Sequence, residues 1–183
     1  MESDFSAYNN SNYNPGGNAV KRLCWYFVNT VFFKSGLFPS SGLMCLLLKA
    51  FGARVGKGVN IKPRVNIKYP WRLEIGDYSW IGENAWIDNL DDVVIGKNCC
   101  ISQGAMLLCG NHNYRKRTFD LITGKIILEN GVWIGAFSIV CPGVTCKSHS
   151  VLAVNSVATR TLEAYGIYQG NPAMAVKERI IDS

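Results

Sequence analysis

Beyond Arg54 an aliphatic residue returns at every sixth position. The series runs Val55, Ile61, Ile67; Ile75, Ile81, Ile87; Ile95, Ile101, Leu107; Leu128, Ile134, Val140; and Cys146, Leu152, Ala158. Thirteen of these fifteen positions are Val, Ile or Leu, and the residue four places later is usually small or β-branched, as at Val65, Ala85, Ala105, Ser138 and Ser156. An amphipathic helix would repeat at about 3.6 and a half-buried strand at 2, so neither accounts for a stable six. A six-residue unit predicts a parallel β-helix, in which each unit is a short strand plus a turn and three units, about 18 residues, close one triangular coil. The aliphatic side chain points inward, and coils stacked about 4.8 Å apart pile these side chains into columns. Each buried aliphatic contributes roughly 1.5–3 kcal/mol, so the columns dominate stability.

The breaks in the period are as informative as the period. First members of successive coils lie 20, 20, 33 and 18 residues apart, so two coils carry a two-residue bulge at a corner and one carries fifteen extra residues. That insertion, residues 113–127, is polar, basic and out of register, which predicts an extruded loop, a favoured place for function on a rigid scaffold. Ahead of the repeats, residues 1–18 are polar, and an apolar stretch from Leu23 to Phe51 is interrupted by Asn29, Lys34, Pro39 and Lys49 too often for a membrane span of about 20 residues. Two amphipathic helices, Ala19 to Lys34 and Ser41 to Phe51, fit it, with Ser40 or Ser41 capping the second and Gly52 stopping it. Their apolar residues read first as a packing cap on the fold, and the aromatics with flanking Lys21, Arg22 and Lys34 also suit, as the alternative, contact with a membrane surface. The expected organisation is a tail and helical segment over 1–53, a repeat region over 54–162 and an extension over 163–183 that folds across the last coil's open edges.

A chain of 183 residues holds one domain with a real core, and 48% hydrophobic with 17% charged residues is a folding composition. The net charge of +6 favours phosphate-bearing partners but falls well short of a nucleic-acid-binding arm. Seven scattered cysteines without a CxxC pair read as reduced thiols of an intracellular protein. The polar, partly acidic start does not resemble a secretory leader, which predicts a cytoplasmic protein.

The chain contains two histidines. His112 stands at the mouth of the insertion, in Cys109-Gly110-Asn111-His112-Asn113-Tyr114, where proton transfer and a structural role are both open. His149, between Ser148 and Ser150 in a turn of the last coil, reads as a solvated turn residue. The run Gly52 to Gly58 imitates a phosphate-binding loop, but its glycines are one residue too close and no Ser or Thr follows Lys57. No HExxH, GxSxG or GxGxxG motif is present. Two histidines also cannot supply a three-histidine zinc site, so no metal is expected.

The repeats, the Gly-Asn-His loop, Glu129-Asn130-Gly131-Val132-Trp133-Ile134-Gly135, Pro142-Gly143-Val144 and the closing Gly170-Asn171-Pro172-Ala173 together resemble the left-handed β-helix acyltransferases. Within that family the chain is most similar to the colanic-acid O-acetyltransferases of polysaccharide gene clusters, through Phe51-Gly52-Ala53, Tyr69-Pro70-Trp71 and Ile101-Ser102-Gln103-Gly104-Ala105. The resemblance implies an all-β-dominated fold, a left-handed parallel β-helix of about five coils assembled as a homotrimer. It also implies acetyl-coenzyme A as co-substrate and direct transfer of acetyl to a sugar hydroxyl of an exopolysaccharide or its lipid-linked precursor. His112 would be the general base. Ala136 and Val154 match backbone positions that hold the pantetheine amides, Trp133 would wall the acetyl end, and Arg160 and Lys177 match basic positions that meet the nucleotide phosphates. Asn84, with Asp88 as competitor, falls near an acceptor-side polar position. Each has a plainer reading: Trp133 as a subunit-packing aromatic, Arg160 and Lys177 as solvated charges. A free sugar, a nucleotide sugar or an amino-acid hydroxyl is the alternative acceptor, and a non-catalytic scaffold is the alternative class.

Overall fold

The computed structural model describes residues 2–182; Met1 and Ser183, the outermost positions of the two terminal segments, lie outside the described residues. The repeat region forms a three-faced prism of parallel strands. The first face stacks Arg54–Val55, Leu73–Ile75, Val93–Ile95, Ile126–Leu128 and Thr145–Cys146. The second begins with Asn60–Ile61 and Trp80–Ile81, and the third with Asn66–Ile67 and Trp86–Asp88. The strand register is the six-residue series itself: Val55 pairs with Ile75, Ile75 with Ile95, Ile95 with Leu128 and Leu128 with Cys146. The second and third faces align Ile61, Ile81, Ile101, Ile134 and Leu152, and Ile67, Ile87, Leu107, Val140 and Ala158. Fourteen of the fifteen are buried; Val55, in the first coil, is half-buried.

The corners explain the rest of the unit. The third residue after the aliphatic adopts a left-handed backbone at nearly every regular corner, as at Arg64, Tyr78, Asn84, Asn98, Phe137, His149 and Asn155. Its N–H bonds the carbonyl of the coil below, as Asn84 does to Pro63 and Phe137 to Gln103. Where the outward side chain is large, the coil below supplies a glycine: a Cβ on Gly104 would sit 2.6 Å from the Phe137 ring. The fourth residue turns inward beneath the next strand, so only small or β-branched side chains fit there.

All three interruptions fall at one corner, between the third and first faces. The first is a 3-10 turn at Pro70–Arg72 and the second spans Asn89 to Asp92. Asn89 is fully buried, and its side-chain amide accepts from the Tyr69 N–H and donates to the Tyr69 carbonyl, replacing the missing strand ladder with a peptide mimic. The third is not an irregular loop over 113–127. It is an antiparallel hairpin of Gly110–His112 and Leu121–Thr123, and Ile126 and Ile127 have already rejoined the first face, with Ile126 buried. The backbone needs partners wherever it leaves the prism, and pairing the insertion's two arms provides them.

The N-terminal helical run matches its expected span, with α1 over Ala19–Val28 continuing as π-helix through Asn29–Lys34. Trp25, Asn29 and Phe33 are its buried positions. They recur every fourth residue, which drifts around a regular α-helix but stays aligned where the turn widens. Trp25 donates to the Ile67 carbonyl and Asn29 to the Asn66 side chain, fixing this run on the third face of the first coil. Helix α2 (Ser41–Ala50) is capped by Ser40, whereas the Ser41 hydroxyl accepts from the Ile61 N–H and anchors the helix to the second face.

The C-terminal segment covers open edges of the last coil, as expected, and does so by continuing the stack. It adds a partial sixth coil: Leu162 bridges Cys146 and is buried, Gly166–Gly170 pairs in parallel with Val151–Leu152, and Ala173–Glu178 returns antiparallel along its outside. Among the described residues, only the second face is extended by strands. Leu162 follows Cys146 by sixteen residues instead of eighteen, so a strict count stops at five coils.

Candidate functional site

His112 is the last residue of the hairpin's outgoing arm, opposite Leu121, so it stands on the projection and not within a prism unit. Its imidazole is half-buried and lies flat on Phe119, with centroids 4.4 Å apart and an interplanar angle of 8°. Nδ1 is 2.9 Å from the Phe119 carbonyl oxygen. A carbonyl can only accept, so Nδ1 carries the hydrogen and Nε2 keeps its lone pair in the neutral ring.

Phe119 holds this geometry with a left-handed φ of 51° that turns its carbonyl back toward the imidazole. The N-terminal tail braces it from outside. Phe5 meets Phe119 edge to face at 5.2 Å, Tyr8 lies 6.0 Å from the His112 ring, Asp4 pairs with Arg117 at 2.6 Å, and the Asp4 N–H bonds the Arg117 carbonyl. Ser6 and Arg117 hold the Asp4 carboxyl below its ordinary range. The tail reaches the hairpin along the interrupted corner: Trp71 donates to the Pro15 carbonyl, Arg72 to that of Asn14, and the Tyr13 hydroxyl to that of Leu90.

Cys109 precedes the hairpin and is fully buried, and burial pushes its thiol up to about 12. Thiolate is the nucleophilic form, so Cys109 lacks both charge and access for an acyl-thiol intermediate.

The remaining candidates spread over two edges of the third face and the outside of the second. Asp88 lies at the hairpin's root: its backbone carbonyl accepts from the Cys109 N–H, and its carboxylate faces Lys68 at 3.1 Å. With Trp86, Lys68 and Arg22 it lines a cleft of about 360 Å³ between the third face and α1. Asn84 sits at the opposite corner with φ 58°, where the turn itself accounts for it. Ala136 and Val154 occupy equivalent places in successive coils of that same corner, and neither N–H has a partner among the described residues. Trp133 projects from the second face, 47% exposed, and donates to the Ser102 hydroxyl. Arg160 is exposed just past the last strand of the third face, and Lys177 lies on the added outer strand. Within one chain, then, His112 and the Ala136–Val154 pair flank the third face from different corners.

Phe119, Tyr8, Asp4 and Arg117 were not among the sequence candidates. A signal was Phe119 itself, which with Leu121 and Ile122 is apolar and has no repeat to serve inside a polar insertion.

No family model matches the chain. It is 34% identical over 165 residues to the Escherichia coli protein named "Putative colanic acid biosynthesis acetyltransferase WcaF", covering 90% of this chain and 91% of that one. It is 27% identical over 135 residues to the Escherichia coli galactoside O-acetyltransferase, with 72% and 66% covered. Among solved structures, a hexapeptide-repeat acetyltransferase from Vibrio cholerae superposes with a TM-score of 0.79 at 22% identity over 87% of this chain and 90% of that one. The periodic prism, the histidine-bearing hairpin at its interrupted corner and an identity that runs nearly end to end make this chain a member of the hexapeptide-repeat acetyltransferases.

Proposed function

We propose that the protein transfers acetyl from acetyl-coenzyme A directly to a saccharide hydroxyl, with His112 as the general base. The observation that carries this reading is the Phe119 carbonyl on Nδ1, which leaves Nε2 as the proton acceptor on a projecting arm. A hydroxyl attacks a thioester poorly while protonated, and a positioned base that takes its proton during attack is worth about 10²–10⁴ in rate. The hydroxyl oxygen bonds the acetyl carbon, the carbon–sulfur bond breaks, and the imidazolium returns its proton to the departing thiolate. A buried Cys109 thiol speaks for direct transfer over an enzyme-bound acyl group.

The relatives' names support the acceptor class: one concerns colanic acid biosynthesis and another is a galactoside O-acetyltransferase. The acetyl-coenzyme A complex of the Vibrio cholerae neighbour, at a TM-score of 0.78, supports the donor. In this chain the free N–H groups of Ala136 and Val154 suit the pantetheine amides, exposed Arg160 and Lys177 suit the phosphates, and Trp133 borders the acetyl end. Because His112 and the Ala136–Val154 pair flank different corners, a complete site needs one corner from each of two copies. Exposed Trp80, Trp86 and Trp133 on the prism faces favour a closed homotrimer that supplies it. On the acceptor side Asp88, at the hairpin's root and in a cleft with Trp86 and Lys68, is favoured over Asn84. Work inside the cell, on a soluble or lipid-linked saccharide, accords with the seven free thiols.

The test is coenzyme A release from acetyl-coenzyme A across lipid-linked oligosaccharides, free sugars, nucleotide sugars and amino-acid hydroxyls, with product mass read afterwards. An added acetyl on a saccharide is expected. Acetylation of an amino-acid hydroxyl alone, or no transfer to any of these acceptors, would overturn the reading.

A further inference from the structure

The helical segment is apolar on two opposite sides, and the fold uses only one. Trp25, Asn29 and Phe33 face the prism. On the other side Val20, Leu23, Phe27 and Val31 follow one another at helical spacing and stay open to solvent, Leu23 and Phe27 each at 58%. Leu37, in the turn after the run, and Leu46, on α2, are exposed at 76% and 64%. A single exposed leucine is ordinary, but a continuous stripe of large side chains on a helix already anchored by its other side marks a contact surface.

Charge identifies what the stripe meets. Residues 5–73 contain ten Lys and Arg and no Asp or Glu, while the rest of the chain holds nine against thirteen. In the first coil four of the six cations are met locally: Arg54, Arg64, Lys68 and Arg72 each face a carboxylate of the next coil. Lys21, Arg22, Lys34 and Lys49 in the helical segment form no ion pair among the described residues. Lys21 lies over the Trp71 ring and Arg22 bonds the Gly17 carbonyl, contacts that order them without neutralising them. An apolar helix face on a segment that carries four cations and no carboxylate fits the boundary between headgroups and acyl chains of an anionic bilayer. It fits a second copy of itself less well, because that pairing would bring together two positive segments without a carboxylate between them. The segment does not cross the bilayer either: no helix among the described residues is long and apolar enough to do so.

We propose that the outer face of this N-terminal helical cap is a membrane-surface contact specific for anionic lipid, with Leu23 and Phe27 entering the interface and the positive charge of the segment, including exposed Lys34 and Lys49, drawing it to headgroup phosphates. The cap covers the first-coil end of the prism, so the bilayer would lie across that end. The proposal is independent of acetyl transfer, and its readout is physical.

The experiment is flotation of the full-length protein with vesicles of phosphatidylglycerol and phosphatidylcholine, against vesicles of phosphatidylcholine alone. Flotation with the anionic vesicles is expected, at least about tenfold over the neutral ones and reversed by high salt. The Leu23→Ser/Phe27→Ser variant should lose at least about tenfold of that binding. Cys24 lies on the exposed side of α1, and alkylation of its thiol in the unmodified protein reads the same contact without a substitution. Anionic vesicles should slow that alkylation and neutral ones should not. Three results would each overturn the proposal: no flotation with anionic vesicles, equal flotation of the double variant, or unchanged Cys24 alkylation. Self-association through this face in sedimentation, without flotation, would assign it to a second copy and likewise overturn it.

Discussion

The interior of the prism and its interrupted corner are built by opposite rules. Inside, one requirement repeats: an aliphatic side chain at every sixth position, stacked on its equivalent one coil below, as Ile61, Ile81, Ile101, Ile134 and Leu152 are. Each member sees nearly the same surroundings, and the contacts come from residues 18 or 20 positions away, or 33 across the insertion. At the interrupted corner nothing repeats. A 3-10 turn, the Asn89–Asp92 turn and a hairpin follow one another, and the tail that binds all three comes from the far end of the chain, with Tyr13 reaching Leu90 and Asp4 reaching Arg117 across 113 residues. Stability is thus spread over many similar contacts, while the candidate chemistry hangs on a few dissimilar ones. Damage to the two regions should register in different measurements.

The largest stability effect is expected inside. Ile101→Ala, in the middle of the second-face column and 1% exposed, should cost about 2–5 kcal/mol in denaturant unfolding and change turnover only through the folded fraction. A loss below about 1 kcal/mol would mean the columns do not carry the fold. At the corner the order reverses. Asp4→Ala/Phe5→Ala frees the hairpin from the tail and should lower kcat/KM about ten- to a hundredfold by letting Phe119 and His112 drift. Solvent screens this surface ion pair, so the melting temperature should scarcely move.

The regular corners come next. Gly104→Ala places a Cβ against the Phe137 ring at φ 66° and should cost about 1–2 kcal/mol by thermal melting. The smallest effect is expected at Glu129, whose Oε2 accepts from both the N–H and the hydroxyl of Ser148 at 2.8 Å. The Ser148 hydroxyl and then its N–H hold this carboxyl below its ordinary value. A carboxylate lowered in the folded state stabilises above its unfolded pKa, about 4.3, and loses that contribution as pH falls through the folded value. Glu129→Gln should therefore melt slightly below the unsubstituted protein at about pH 7, with the difference vanishing by about pH 3. A gap that widens on acidification would contradict this assignment.

How far the sequence could be read follows the same division. The columns were legible because burial repeats with the chain, and the residue predicted at each inward position is the residue found there. Leu162 escaped because its coil is two residues short, which breaks a count without breaking the stack. The hairpin was legible as an interruption but not as paired arms, since Gly110–His112 and Leu121–Thr123 carry no alternation that distinguishes them from a loop. His112 was visible as one of two histidines. The carbonyl that fixes its tautomer was not, because Phe119 acts through its backbone, which side-chain identity does not reveal. The tail read as a polar terminus because its contacts are mainly hydrogen bonds to backbone carbonyls and one ion pair, which leave no hydrophobic pattern.

The most direct test of the central claim is the initial rate of coenzyme A release for His112→Ala against the unsubstituted protein, using the saccharide acceptor identified in the panel. Sedimentation and melting of both proteins would be recorded alongside. With His112 as the base, turnover should fall about 10²–10⁴-fold while oligomeric state and melting temperature stay the same. Turnover within about twofold in a correctly assembled variant would contradict the assignment.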